Sequence, residues 1–118
     1  MLAAAKAVRE AAISLNILRT QHVINGEPDG LIMRHFEVPG AGGFLLSTRS
    51  GGATRLFPEG DTAAYFADAR ECIERCKHYL AAKDERKRLV DNAHAEVAAK
   101  HTYAHRAREI VAMLRALP

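Results

Sequence analysis

Apolar and polar positions along the chain follow two periods in turn. Residues 3–12 are rich in alanine and carry charges at helical spacing, which predicts a helix. Residues 13–18 then alternate apolar and polar side chains, which predicts a strand. Residues 25–30 (NGEPDG) are mostly turn formers and predict a loop. A short helix is predicted at residues 31–38, and Pro39 with the glycines after it is expected to end that helix.

Two further apolar runs predict strands. Residues 44–48 (FLLST) follow a glycine pair and form a short apolar run, as a buried strand of a parallel sheet does. Residues 62–66 predict a third, short strand. Between these strands, residues 50–52 (SGG) predict a turn and residues 53–57 a single helical turn.

The chain after residue 68 predicts three amphipathic helices. Asp68, with Glu71 three residues later, forms a predicted capping box for a helix at residues 69–82. Asp84 is expected to cap the second helix and Thr102 the third. Their apolar stripes consist of Ala69, Cys72, Ile73, Cys76, Tyr79 and Leu80, then Leu89, Val90, Ala93 and Val97, then Tyr103, Ala107, Ile110, Val111, Leu114 and Leu117.

Strands that alternate with helices predict the α/β class. We expect a partial Rossmann-like three-layer domain, in which a short parallel sheet has flanking helices and a helical carboxyl-terminal tail follows. The 118 residues have room for one domain. Because three strands make a thin sheet, we expect residues 1–118 to be an incomplete domain whose further strands precede Met1, on this chain or another.

Composition excludes several classes of protein. There is no apolar run long enough to span a membrane and no signal-peptide core, so a cytoplasmic location is expected. The net charge is +3, but acidic residues interleave with the basic ones, and Trp is absent, so no nucleic-acid partner is expected.

Cysteine and histidine pairs offer little evidence for a metal. Cys72 and Cys76 fall on one apolar stripe, which favours small buried side chains over zinc or redox chemistry. His101 and His105 stand four residues apart, but a catalytic zinc needs a third protein ligand. We therefore predict structural roles for these residues and no metal site.

The segment from Asp29 to Glu37 carries the candidate chemistry. It places two acids eight residues apart, one before a short helix and one within it, with Gly30 and Arg34 between them. Ligands of open parallel sheets bind at the carboxyl ends of the strands, where a carboxylate can accept two hydrogen bonds from sugar hydroxyls and an arginine can contact a diphosphate. The alternative interpretation is a helix cap at Asp29, a surface ion pair between Arg34 and Glu37, and a glycine-rich connector.

The same segment resembles the acidic motif of GT-B glycosyltransferases. Residues 33–46 (MRHFEVPGAGGFLL) resemble the pattern R-x-F-E-x-P-x-x-G-x-F of glycosyltransferases similar to spore maturation protein CgeB. Residues 5–16 resemble the helix and strand before that motif, and residues 56–60 and 65–68 resemble the connection after it. Residues 101–106 (HTYAHR) are similar to the H-T-Y-x-x-R that opens the last helix of the family.

The resemblance implies the carboxyl-terminal domain of a retaining glycosyltransferase that uses a nucleotide-diphosphate sugar. It implies that Asp29, which replaces the usual glutamate, is the catalytic first acid near the donor sugar. Gly30, Met33, Arg34 and Glu37 would then bind the donor, with Glu37 on the ribose hydroxyls. The donor is a substrate, and no cofactor or tightly bound metal is expected.

Two hypotheses about partners and function follow. In the first, the chain binds a nucleotide sugar, and a missing amino-terminal domain or a second copy in a homo-oligomer completes the enzyme. That partner would also supply the basic residues that clamp the diphosphate, since the chain has no counterpart of them. In the second hypothesis, the chain is a non-catalytic interaction module that kept the fold of a glycosyltransferase.

Overall fold

The computed structural model describes residues 2–18, 23–24, 27–28 and 30–118. The α/β prediction is confirmed: a three-stranded parallel sheet is flanked by helices, and the last element is a helix. The helices are α1 (Leu2–Glu10), α2 (Arg34–Gly40), α3 (Gly51–Leu56), α4 (Ala69–Ala81), α5 (Lys83–Lys100) and α6 (Tyr103–Ala116). The strands are β1 (Ser14–Asn16), β2 (Val23–Ile24), β3 (Glu27–Pro28), β4 (Leu45–Thr48) and β5 (Ala64–Phe66).

The main sheet has the strand order β1-β4-β5, and both pairs are parallel. Ser14 is in register with Leu45, and Leu46 with Ala64. Parallel neighbours need a crossover connection, and α2 and α3 lie within the two crossovers. The carboxyl ends of all three strands therefore lie at the same edge, which positions the candidate site.

Both faces of the sheet are covered, as a parallel sheet requires. On one face, side chains of β4 and β5 pack under α4 and α5 in a cluster of Phe44, Leu46, Ala64, Phe66, Tyr79 and Leu89. The other face packs against α3 and the end of α5 through Ala53, Phe57, Ala63, Tyr65 and Val97. Cys72 and Cys76 are free thiols that pack against the first cluster, but they are partly buried rather than fully buried as predicted.

Helix α2 begins and ends later than the sequence predicts. It begins at Arg34 rather than residue 31, because residues 32–36 first form a tighter turn in which the Phe36 N–H bonds the Met33 carbonyl at 2.9 Å. Pro39 does not end it; the helix runs on through Gly40. Its end comes at Gly42, whose φ of 83° is left-handed.

This ending is a Schellman motif that satisfies the last carbonyls of α2. The Gly42 N–H bonds the Pro39 carbonyl at 3.1 Å, and the Gly43 N–H bonds the Val38 carbonyl at 2.9 Å. Gly43 also lets α1 approach, since a Cβ at that position would lie 2.5 Å from Val8 Cγ1. The glycines predicted as a simple breaker thus join α1, α2 and β4.

Substituting Gly43 by alanine is expected to lower the free energy of unfolding by about 1–3 kcal/mol, because the new methyl group must displace α1. Gly40→Ala is the matched control. A Cβ there would lie 3.5 Å from Val97, an ordinary contact, and alanine favours the helix by about 0.5–1 kcal/mol. Urea denaturation of both variants checks this, and equal stability of Gly43→Ala and the parent would contradict the close contact.

Two further local predictions are wrong in detail. Gly51 and Gly52 form the first turn of helix α3 rather than a non-helical connecting turn, because the Ser50 hydroxyl accepts the Ala53 N–H at 3.2 Å and caps that helix. Helix α5 has Ala82 at its cap, and Asp84 lies in its first turn, where a carboxylate still complements the helix dipole.

The predicted loop at residues 25–30 contains a strand. Glu27–Pro28 pairs antiparallel with Val23–Ile24 in a separate two-stranded ribbon. Pro28 is compatible with this ribbon, because each strand of a two-stranded sheet is an edge strand. Asn25, Gly26 and Asp29 lie outside the described residues.

The last helix exposes the face that its pattern predicted to be apolar and packed. Helix α6 has no buried residue, and Ile110 and Leu114 are 56% and 61% exposed. In α4, Ile73 and Leu80 are likewise exposed, because Cys72, Cys76 and Tyr79 are the side chains of that stripe that meet the core. No described helix combines the length and apolarity needed to cross a membrane.

Candidate functional site

Gly30 lies at the carboxyl edge of the sheet. Its carbonyl accepts a hydrogen bond of 2.7 Å from the hydroxyl of Ser50, the residue that follows β4 by two positions and caps α3. The backbone of Gly30 thus adjoins the region where parallel sheets bind ligands. Asp29, the predicted first acid, lies outside the described residues.

Met33, Arg34 and Glu37 project from the beginning of α2 and are exposed. The alternative prediction, an ion pair between Arg34 and Glu37, does not occur. Within the part of the chain that the structure describes, neither side chain makes an ion pair or a hydrogen bond. As far as the described residues go, both charges are therefore available to a ligand.

A buried polar network fixes the beginning of α2 against the sheet. His35, Ser47 and Asn16 are 0–2% exposed. The His35 Nδ1 accepts the Ile32 N–H at 3.0 Å, and its Nε2 lies 3.3 Å from Ser47 Oγ. Ser47 Oγ also accepts from Asn16 Nδ2 at 2.9 Å, so the network joins α2, β4 and β1.

This network requires a neutral His35. Because Nδ1 accepts from a backbone N–H, the ring hydrogen lies on Nε2 and is donated to Ser47 Oγ, which donates onward to the Thr48 carbonyl at 3.2 Å. Burial lowers the pKa of His35 below 6.5, and the Ile32 carbonyl, 3.3 Å from Nδ1, opposes that shift only in part. His35 holds the α2 side chains in place without facing solvent itself.

A cavity of about 320 Å³ opens between α2 and the junction of α5 with α6; we name it the α2–α6 cavity. It brings two predicted donor-binding residues, Met33 and Glu37, together with residues of the second family-like motif. Its lining residues are Met33, Phe36, Glu37, Val97, His101, Thr102, Tyr103 and Arg106. Arg34 and Gly30 do not line it.

Aromatic rings form the inner wall of the α2–α6 cavity. The Phe36 ring packs against Phe57 and His101 with centroid distances of 5.5 and 5.4 Å. The Arg106 guanidinium lies 5.8 Å from the centroid of Phe36 and donates to His101 Nδ1 at 2.7 Å. Arg106 also donates to the carbonyl of Lys100 at 3.3 Å, so it joins the end of α5 to α6.

His101 is neutral in this wall. Burial lowers its pKa, and the neighbouring Arg106 charge lowers it further. Since Arg106 donates to Nδ1, the ring hydrogen lies on Nε2, which is buried and makes no hydrogen bond to a described residue. Glu96 Oε1 is 3.8 Å away, which is too far for a hydrogen bond, and a neutral ring forms no ion pair with it.

Thr102 caps α6, as predicted. Its hydroxyl accepts the His105 N–H at 3.3 Å, and His105 Nδ1 accepts the Thr102 N–H at 3.1 Å, which completes a capping box. The two histidines of the HTYAHR motif thus have structural partners. Among the described residues, no group of three His, Cys, Asp or Glu side chains could hold a metal ion.

A profile of the glycosyl transferase-like family matches residues 2–112, from the first residue of α1 into α6. The chain belongs to the glycosyl transferase-like family. The match includes the α2 segment and the HTYAHR motif, which form opposite walls of the α2–α6 cavity. No curated protein and no solved structure gives a significant match. The closer kinship with CgeB-like proteins stays a prediction.

This glycosyl transferase-like chain also has an ion cluster that was not predicted from its sequence. Arg49, directly after β4, pairs with Glu59 at 2.6 Å and with Glu71 at 3.5 Å. Arg75 lies within 3.5 Å of both glutamates. The one local signal was the capping box, and only half of it forms: Asp68 accepts the Glu71 N–H at 2.8 Å, while the Glu71 carboxylate accepts from Ala67.

The ion cluster matters for the site because it engages the nearest cations. Arg49 lies at the carboxyl edge of the sheet, where a diphosphate would need positive charge, but two carboxylates already neutralise Arg49 and Arg75. Arg34 is the cation of the predicted site that has no described partner.

Proposed function

We propose that this chain is the nucleotide-sugar-binding domain of a retaining GT-B glycosyltransferase. The observation that carries the proposal is the exposed carboxylate of Glu37, which has no partner among the described residues and lines an aromatic cavity at the beginning of α2. A charge without an internal partner at the mouth of a mostly apolar cavity is a common arrangement for small-molecule recognition. Family membership supports the same function.

Each predicted residue has a role in this proposal. Glu37 accepts hydrogen bonds from the two ribose hydroxyls of the donor, and Arg34 contacts the diphosphate. Gly30 allows the diphosphate to approach its backbone, and Met33 contacts the nucleoside. Asp29 is proposed as the catalytic carboxylate beside the donor sugar. The donor is a substrate, and no cofactor or metal is included.

Acceptor binding is proposed to come from another domain or from a second copy of the chain. The neutralised ion cluster supports this division, because the described residues leave Arg34 as the unpaired cation of the site. A partner that adds basic groups opposite Arg34 would complete the diphosphate clamp. A cytoplasmic location stays a prediction.

A second candidate function is a non-catalytic interaction module. The exposed apolar face of α6 favours it, since Ile110, Met113, Leu114 and Leu117 are each more than half exposed. This candidate predicts self-association or partner binding without any affinity for nucleotides. Sedimentation of the chain over a range of concentrations measures that self-association, and the affinity for nucleotides decides between the two candidates.

Calorimetric titration of the folded chain with UDP, GDP and their sugar conjugates tests the proposed function. We expect one of the two nucleotides to bind with a micromolar dissociation constant, and free hexoses, which lack ribose and phosphate, not to bind. Absence of binding at millimolar nucleotide by a folded chain would overturn donor binding and favour the interaction module.

A further inference from the structure

The α2–α6 cavity has the size and lining of a small-molecule site. Its volume of about 320 Å³ is at the lower end of the range for such sites, about 300–1,000 Å³. Aromatic and aliphatic side chains provide most of the lining, and Glu37 adds a carboxylate at the edge. A lining of this kind suits a planar ring far better than a diphosphate.

We propose that the α2–α6 cavity holds the base of the donor nucleotide, with Tyr103 as the ring on which the base stacks. The inference rests on the proposed function and assigns a site to the part of the donor that the predicted motif leaves unassigned. The base is bonded directly to the ribose. If Glu37 binds the ribose hydroxyls, the base therefore lies within one sugar ring of Glu37, and the cavity that Glu37 lines is the adjoining space.

Tyr103 is well placed for this role. It is the first residue of α6 and is 81% exposed, although it lines the cavity. Met33 lies on the α2 wall and is 59% exposed. An aromatic and a flexible apolar side chain that remain open to solvent on two walls of a cavity can enclose the two faces of a base.

Hydrogen bonds hold the wall of the cavity behind Tyr103, so the cavity is formed before a base binds. The Thr102–His105 capping box fixes the start of α6, and the Arg106–His101 bond fixes the start of α6 to the end of α5. Arg106 is engaged by His101, the Lys100 carbonyl and Glu109. These bonds hold Arg106 in the wall of the cavity. Its charge is then not free to bind a phosphate, which again favours a base as the occupant.

The test compares Tyr103→Ala with Tyr103→Phe, and takes Ile110→Ala as the control, because Ile110 is an exposed apolar residue of α6 outside the cavity. UDP and GDP are the calorimetric probes, and ribose 5-phosphate is the probe without a base. Tyr103→Ala removes the ring on which the base stacks, and this loss is expected to weaken nucleotide binding about tenfold. Tyr103→Phe and Ile110→Ala should bind within about twofold of the parent.

Saturation-transfer NMR adds a direct readout. The base protons of the nucleotide should receive more saturation than the ribose protons in the parent chain, and should lose it in Tyr103→Ala. Ribose 5-phosphate, which has no base, should bind to Tyr103→Ala as it binds to the parent chain. Thermal unfolding of Tyr103→Ala should match the parent, since the side chain is exposed.

The outcomes separate this inference from the proposed function. If the parent binds a nucleotide and Tyr103→Ala binds it equally well, the base lies elsewhere and the inference is overturned while donor binding stands. If Ile110→Ala weakens binding as much as Tyr103→Ala, the effect belongs to α6 as a whole, and the stacking assignment is wrong. If the folded parent binds no nucleotide, the proposed function fails and the inference fails with it.

Discussion

Replacing Glu37 with alanine is expected to weaken nucleotide binding about 100-fold and to change the free energy of unfolding by less than about 0.5 kcal/mol. The first effect follows because two hydrogen bonds to a charged acceptor, at about 1.5 kcal/mol each, correspond to two powers of ten in the dissociation constant. The second follows because Glu37 is exposed and has no partner among the described residues. Calorimetry and urea denaturation measure the two effects.

Two variants make the Glu37 prediction specific. Glu37→Gln keeps one good acceptor and loses the charge, so an intermediate loss of about tenfold is expected. Glu74→Ala removes an exposed carboxylate of α4 that lies outside the α2–α6 cavity, and it should bind as the parent does. Full-strength binding by Glu37→Ala would show that the ribose lies elsewhere, and unfolding of that variant would show that Glu37 is structural.

Elements with strong local signals were predicted well from the sequence. The glycine-bounded run FLLST is β4, and Asp68 and Thr102 cap α4 and α6 where expected. The two caps were predicted correctly because a cap depends on residues within one helical turn of each other. Strand β4 was predicted correctly because a short apolar run between turn formers is a local signal for a strand. Pro39 was wrongly predicted to end α2. A proline in the last turn removes one backbone hydrogen bond of the helix, whereas the left-handed Gly42 determines where α2 ends.

The sequence predicted the side of the candidate site that α2 forms, but not the residues that face it. Met33, Arg34 and Glu37 follow from one contiguous motif, but the opposite wall of the cavity comes from residues 101–106. Arg49 and Glu59 likewise meet across a crossover connection. Periodicity and spacing report on one element at a time, so contacts between distant segments require the tertiary structure.

The apolar stripe of α6 shows a second limit of the sequence pattern. The pattern correctly predicted that Ile110, Val111 and Leu114 share a helix, but no described residue buries them. Amphipathic spacing indicates that a face is suited to packing and does not identify the surface against which it packs. An interaction module and a partner that completes the enzyme would both use this face. The exposed face therefore does not distinguish the two hypotheses, and the nucleotide titration does.

His35→Leu is expected to lower the free energy of unfolding by about 3 kcal/mol at pH 7.5. Leucine cannot accept the Ile32 N–H or donate to Ser47 Oγ. The Ile32 N–H therefore loses its acceptor, and Ser47 Oγ keeps only its bonds to Asn16 and the Thr48 carbonyl. His35→Asn is the matched comparison, because its side-chain oxygen can still accept the Ile32 N–H. The free energy of unfolding should fall less in His35→Asn than in His35→Leu, and urea denaturation measures both.

The cost of His35→Leu should shrink in acid. Burial holds the pKa of His35 below 6.5, so the folded chain binds fewer protons at this site than the unfolded chain. The stability that neutral His35 provides is therefore complete above about pH 6.5 and is lost as the pH falls below it. Since burial also lowers the pKa of His101, the variant should keep part of the acid sensitivity of the parent. A gap between parent and variant that stays constant from pH 7.5 to pH 5 would contradict a buried neutral histidine, and with it the argument that His35 fixes the helix bearing Arg34 and Glu37.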